Sequence, residues 1–228
     1  MSEGRLAGKR ILVTHSDDYM GPPTIELFRE QGAEVIDDRT DLSSDPEAAA
    51  RIVAEAGEID VLVANFAAPA NLGKMAVEMD DETWHQMFDV MVHPLHRVVR
   101  AVLPQMYERK RGKIVVFGSA TGLKALEGVS AYSAARSAQV GYVRTVGAEA
   151  ARHNVQMNLI AQNFVENPEY FPPAFVETDA FKQLLANGVP IGRLATGRED
   201  AQFALFLASD ESDFFVGQSI PFSGGWAQ

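Results

Sequence analysis

IDVLVAN, residues 59–65, decides the fold. A run this short, apolar and rich in β-branched residues reads as a strand buried on both faces. Such strands belong to parallel sheets covered on each side by helices. Similar runs recur on either side of it: RILVT at 10–14, AEVID at 33–37, KIVVFGS at 113–119, VQMNLIA at 155–161 and a last strand near Gln218–Phe222. Helical patterns fill the intervals, from about Pro22 to Gln31, Pro46 to Ala56, Asp80 to Tyr107 as one long helix, Ser130 to Arg152 and Arg198 to Ala208. Strand and helix alternate, which predicts a doubly wound α/β fold with a parallel sheet in three layers, α/β/α. No linker, internal repeat or low-complexity block divides residues 1–228, so one domain is expected.

Composition narrows the function. Lys and Arg number 20 against 31 Asp and Glu, a formal charge of -11, so the surface repels a phosphate backbone and nucleic acid is not an expected partner. There is no cysteine, which removes disulfides, thiolate metal sites and cysteine nucleophiles together. The start, MSEGRLAGKR, has no apolar signal-type core, and no apolar run approaches the length of about 18 residues that a membrane span needs. A soluble cytoplasmic protein with no membrane partner is expected.

In sheets of this kind ligands sit beyond the carboxyl ends of the strands. That singles out His15–Pro23, Asn65–Gly73, Ser119–Ser130 and Gln162–Pro173. The last falls in QNFVENPEYFPPA at 162–174, too broken by proline for a regular element and too apolar for a disordered tail; it reads as an ordered covering loop.

The order of these pieces resembles the short-chain dehydrogenase/reductase superfamily, whose fold is Rossmann-like, over nearly the whole chain. The resemblance rests on IDVLVAN ahead of a long helix, KIVVFGSATG at 113–122, Ser119 thirteen residues before Tyr132, AYSAARSAQVGYVRTVGAEAA at 131–151 and VGQSIPFSGGW at 216–226. In that superfamily the serine and tyrosine hold a substrate oxygen, a lysine four residues after the tyrosine binds the cofactor ribose, and a glycine-rich first loop receives the pyrophosphate. This sequence departs from each cofactor feature. Arg136 stands at the lysine position, and a planar guanidinium does not replace an ammonium point charge. The first loop, THSDDYMGPP at 14–23, has one glycine, the carboxylates Asp17 and Asp18, a bulky Tyr19 and two prolines. Asn65-Phe66-Ala67-Ala68 places Phe66 where backbone usually faces the cofactor, and Met91 occupies the position that often carries an asparagine proton relay.

Together the departures resemble one offshoot, the halohydrin or haloalcohol dehalogenases, which carry serine, tyrosine and arginine in this spacing and use no nicotinamide. Gln162-Asn163-Phe164-Val165, followed by Asn167–Pro172, is similar to their halide-binding loop. The resemblance implies conversion of a vicinal haloalcohol to an epoxide, a halide ion and a proton, and in reverse the opening of epoxides by azide, cyanide or nitrite. It makes Ser119, Tyr132 and Arg136 the catalytic residues: Ser119 orients the substrate oxygen, Tyr132 takes its proton, and Arg136 favours the phenolate. A free tyrosine ionises at about pH 10, and a shielded cation within about 4–6 Å moves that down by about one to three units.

The pocket expected from the same resemblance draws on Tyr19, Asn65, Phe66, Pro69, Thr121 and Leu126 from the first three loops. The covering loop adds Gln162, Asn163, Phe164, Val165, Tyr170 and Phe171, with backbone N–H groups of Phe164–Val165 as halide donors. No nicotinamide or other cofactor and no metal is expected. The partners are small haloalcohols and epoxides, halide and other small anions. The helices at about 80–107 and 130–152 form a four-helix subunit interface in this superfamily, which implies a homotetramer.

The remaining motifs have plainer readings. His93 and His96 have an HxxH spacing with Pro94 between them, and suit a helix surface or subunit contact better than a metal. Asp17 and Asp18 suit a solvated loop. Trp226 either packs on its own last strand or reaches a neighbouring subunit's pocket. Two other functions stay open: an unusual nicotinamide-dependent reductase, which THSDDYMGPP opposes, and a non-catalytic binding protein, which the pairing of Ser119 with Tyr132 opposes.

Overall fold

The computed structural model describes residues 4–69 and 73–228. Of the expected ligand segment Asn65–Gly73, residues 70–72 lie outside that description. Among the described residues six strands form one parallel sheet: β1 (Arg10–Val13), β2 (Glu34–Asp37), β3 (Val61–Ala64), β4 (Gly112–Ser119), β5 (Val155–Gln162) and β6 (Ser219–Phe222). Their order across the sheet is β2-β1-β3-β4-β5-β6, and every pair is parallel. The central strands β3, β4 and most of β5 are buried on both faces, which explains why they read as unbroken apolar runs.

Helices cover both faces. On one, α2 (Ala48–Ala56), α4 (His93–Arg109) and α5 (Ser130–Ala151) share a core built on Leu62, Val116 and Leu159 of the sheet. On the other, α1 (Gly21–Glu30) and α8 (Gly197–Ala208) pack Leu27, Phe28, Ala204 and Leu205 against Val63, Val115 and Ile160. The three-layer, Rossmann-like α/β/α architecture is therefore as the strand–helix alternation predicts. The β5-to-β6 crossover runs in the same direction as the two before it, yet its helix α8 lies on the opposite face, with α1. Its hand is thus reversed from theirs, against the usual rule for parallel crossovers. This brings α8 beneath the carboxyl end of β5.

Two expectations need correction. The helix read as continuous over 80–107 is two: α3 (Asp81–Met91), capped by the Asp80 side chain accepting from Thr83 N–H, and α4. The break falls at Val92, and Pro94 sits in the first turn of α4, where a missing N–H costs no helical bond. Residues 162–174 are not loop throughout, because α6 (Pro173–Val176) begins at its end. A further helix, α7 (Asp179–Gly188), capped by Thr178, follows it without a counterpart in the sequence reading. No helix among the described residues is long and apolar enough to cross a membrane.

Candidate active site

Ser119 ends β4 and Gln162 ends β5, and the ladder sets them side by side at the carboxyl edge of the sheet. Ser119 Oγ accepts from the Thr121 N–H at 3.2 Å and lies 3.0 Å from the Thr121 hydroxyl, so the serine is held in one orientation by the turn that follows it. Helix α5 starts eleven residues later and carries Tyr132 and Arg136 one turn apart on the same side. The guanidinium lies 5.0 Å from the Tyr132 ring centroid.

Arg136 is buried, so its charge needs acceptors. Its Nη1 donates to the carbonyls of Phe66 at 2.9 Å and Phe117 at 3.3 Å, and to Gln139 Oε1 at 3.0 Å, while Nε has no partner among the described residues. Gln139 in turn donates to the Met91 carbonyl at 2.9 Å. Burial alone would lower the arginine's pKa, but the Tyr132 and Tyr170 side chains beside it, by charge and hydrogen bond, outweigh that and hold it above the ordinary value. The cation is permanent.

The covering loop closes the other side. The Tyr170 hydroxyl donates to the Ala68 carbonyl at 2.7 Å and stands 3.4 Å from the Tyr132 hydroxyl. Since that proton is committed to Ala68, Tyr132 is the donor of the pair. Burial first, and Tyr132 second, push the Tyr170 pKa well above that of a free tyrosine. Tyr19 leans on the Tyr170 ring with centroids 5.4 Å apart, and burial pushes its pKa up to about 12. Asn65 braces the first loop by donating to the carbonyls of His15 and Asp18, both at 2.9 Å.

These groups surround a cavity of about 280 Å³ with mainly apolar walls. Ser119, Tyr132 and Arg136 all line it, as do Tyr19, Asn65, Thr121 and Leu126 of the expected pocket, and Gln162, Asn163, Phe164, Val165, Tyr170 and Phe171 of the covering loop. Two expected residues do not. Phe66 is completely buried, packed edge-on against His15 with centroids 5.2 Å apart, and serves the site through its carbonyl. Pro69 is exposed and does not line the cavity. The halide-donor expectation is also corrected in part. The Phe164 N–H is taken by Asn163 Oδ1 at 2.9 Å, leaving Val165, whose N–H has no partner among the described residues. Trp226 lines the cavity of its own chain, beside Phe164 and under Lys124 Nζ. His93 pairs with Asp89 and His96 packs on Tyr142, and no cluster of three or more metal-ligating side chains exists among the described residues.

Several site residues escaped the sequence reading. Phe175, Phe181 and Leu184 wall the cavity from α6 and α7, which the proline-rich stretch before them concealed. Gln139 had one available signal, its position three residues after Arg136 on the same helix. Asp200 on α8 had none: a carboxylate in the first turns of a helix is ordinarily solvated, whereas this one is fully buried and accepts from Gln162 Nε2.

A family model described as enoyl-(acyl carrier protein) reductase matches residues 6–227. The curated 3-oxoacyl-acyl-carrier-protein reductases of Thermotoga maritima and Chlamydia muridarum are each 30% identical, over 97% of this chain and 98% of theirs. A solved structure named "Dehalogenation enzyme" superposes with a TM-score of 0.89 at 31% identity, covering 97% of this chain and 99% of that one. A gluconate 5-dehydrogenase from Burkholderia cenocepacia J2315, in complex with NADP and tartrate, gives 0.85 at 26% identity, with 97% and 96% covered.

These likenesses correct the expectation of no nicotinamide cofactor, because the reductases and the NADP complex point to a nucleotide. The residues present meet that group unevenly. Asp38, just after β2, keeps Oδ2 buried without a partner among the described residues, at the place where this fold's acidic residue takes a ribose hydroxyl. The first turn of α1 does not fit a pyrophosphate: Pro22 and Pro23 have no N–H, Gly21 N–H donates to Asp18 and Thr24 N–H to Met20. Nor is there room to loosen the turn, since a Cβ on Gly21 would sit 2.3 Å from the Ser16 carbonyl oxygen. The match over residues 6–227 and the two relatives at 30% identity establish that this chain belongs to the short-chain dehydrogenase/reductase superfamily, in the family described as enoyl-(acyl carrier protein) reductase.

Proposed function

We propose that this chain converts vicinal haloalcohols to epoxides, with release of halide, and opens epoxides with small anions in reverse. The observation that carries this reading is the buried Arg136 beside Tyr132 and Ser119 at an apolar cavity, together with the likeness to a dehalogenation enzyme. A fixed cation next to a tyrosine suits a proton acceptor, and proton removal from the hydroxyl is what starts the displacement.

On this reading Ser119 donates to the substrate oxygen while Thr121 holds the serine from behind. Tyr132, with the Arg136 cation beside it, takes the hydroxyl proton. The alkoxide oxygen bonds to the neighbouring carbon as the carbon–halogen bond breaks, and the halide leaves with the electron pair. An anion leaving into an apolar cavity needs donors. Val165 N–H and the side-chain amide of Asn163 are the available ones, since the Gln162 N–H2 group donates to Asp200. Incubation with a small panel of chloro- and bromoalcohols, including aryl-substituted ones, is the test: halide and acid should appear together, and their absence across the panel would refute the reading.

A second reading is favoured by the family relatives and by Asp38, whose Oδ2 has no partner among the described residues: reduction of a carbonyl by a nicotinamide dinucleotide, with Ser119 and Tyr132 holding the carbonyl oxygen. The two readings part on the observable, since consumption of NADH or NADPH with a 3-oxoacyl ester belongs to the second alone.

A further inference from the structure

Asp200 and Gln162 meet beneath the cavity floor in an arrangement that packing alone does not explain. Asp200 is fully buried on α8. One carboxyl oxygen accepts from Gln162 Nε2, and the other, Oδ1, has no partner among the described residues. Gln162 is half-buried, lines the cavity, and lies directly across the β4–β5 ladder from Ser119. Its Oε1 carries no hydrogen bond among the described residues and is not among the buried unpartnered atoms, so it opens to the cavity. An amide has a donor end and an acceptor end, and only one of them can face Asp200.

We propose that Asp200 sets which end of the Gln162 amide the cavity sees: ionised Asp200 accepts from Nε2 and leaves the carbonyl oxygen facing the ligand, whereas protonated Asp200 donates to Oε1 and turns the N–H2 group inward. Gln162 then offers an acceptor in one state and an anion donor in the other. Asp200 is a positioning residue that acts through Gln162. The inference about anion affinity rests on the reading of the cavity as a halide site; the amide reversal itself does not.

The switch falls in a useful range. Burial pushes the Asp200 pKa up to about 7, with the Gln162 hydrogen bond opposing it. The charged groups on neighbouring elements are engaged elsewhere. Glu30 on α1 pairs with Arg198 and Arg29 with Asp37; Glu199 pairs with Arg193, and Lys113 on β4 with Asp213. Glu26 also lies on α1, while β5 and β6 carry no ionisable side chain. In the cavity Tyr19 and Tyr170 are held above their ordinary values and Arg136 stays charged.

The test uses the full chain and bromide as probe, with affinity read by calorimetry between pH 5.5 and 8.5. Wild type should bind bromide about tenfold more tightly at the acid end, the effect of one added donor. Asp200→Asn, which no longer titrates, and Gln162→Met, which has no amide, should both give a flat profile. A ligand-free measurement accompanies it: the Gln162 side-chain amide signals in a 15N NMR spectrum should titrate with a midpoint near 7 in wild type and stay fixed in Asp200→Asn. An Asp200→Asn profile as steep as that of wild type, or amide signals indifferent to pH, overturns the switch. No bromide binding at any pH, with the amide still titrating, supports the switch and overturns the halide reading instead.

Discussion

The Arg136 guanidinium stands 5.0 Å from the centroid of the Tyr132 ring, one turn further along α5, and Gln139 accepts from it one turn further still. The three residues form a buried line from Tyr132 into the helix core, anchored at the Met91 carbonyl. Hydrogen bonds to a buried charge are worth roughly 1.5–3 kcal/mol each, and more is lost when a partner is left unpaired.

Gln139→Leu therefore removes an acceptor from the cation and a donor from Met91. It should lower Tm by about 4–8 °C, corresponding to about 2 kcal/mol in a chain of this size. If the line also fixes Arg136 beside Tyr132, kcat falls more than KM rises. Thermal scans and steady-state kinetics on one preparation check both, and unchanged values would show the line to be idle.

Tyr170→Phe separates the covering loop from the chemistry. The ring stays against Tyr19, but the Ala68 carbonyl loses its 2.7 Å donor and Tyr132 loses its neighbour. A loss of about 1–3 kcal/mol in stability is expected, with turnover retained and KM raised. Abolished turnover would mean that Tyr170 handles the proton.

Asp200 makes stability depend on pH with a definite sign. Its folded pKa, about 7, lies above the ordinary 3.8, so the folded state holds the proton more tightly than the unfolded one. Its contribution is fully present below the unfolded value and is lost as pH rises toward about 7, by an amount on the order of 4 kcal/mol at most. Relative to wild type, Asp200→Asn should gain stability progressively from about pH 4 to 7 and keep a constant margin above. Denaturant midpoints across that range measure it, and a constant difference throughout would contradict it.

The sheet was legible because β3, β4 and β5 are buried on both faces, and a strand with no solvent side has no choice but an apolar run. The α3–α4 break was not, since Pro94 in a first turn reads the same as a proline bent within one helix. Among site residues, Ser119, Tyr132 and Arg136 were legible by spacing, which a strand end and a helix turn fix in space. Phe66 was misjudged because its position in the chain reveals only that it follows β3; its side chain turns to His15 and its carbonyl to Arg136. Asp200 was invisible, because its burial depends on α8 lying on the α1 face, a long-range consequence of the reversed last crossover.

The most direct measurement is halide and proton release from a bromoalcohol by wild type and by Tyr132→Phe, alongside bromide binding and circular dichroism of both. Equal amounts of bromide and acid from wild type, with turnover in the variant reduced by at least about a thousandfold while fold and bromide binding persist, is the expected result. Turnover in Tyr132→Phe close to that of wild type, or no bromide from wild type while NADH or NADPH is consumed with a carbonyl substrate, would contradict it.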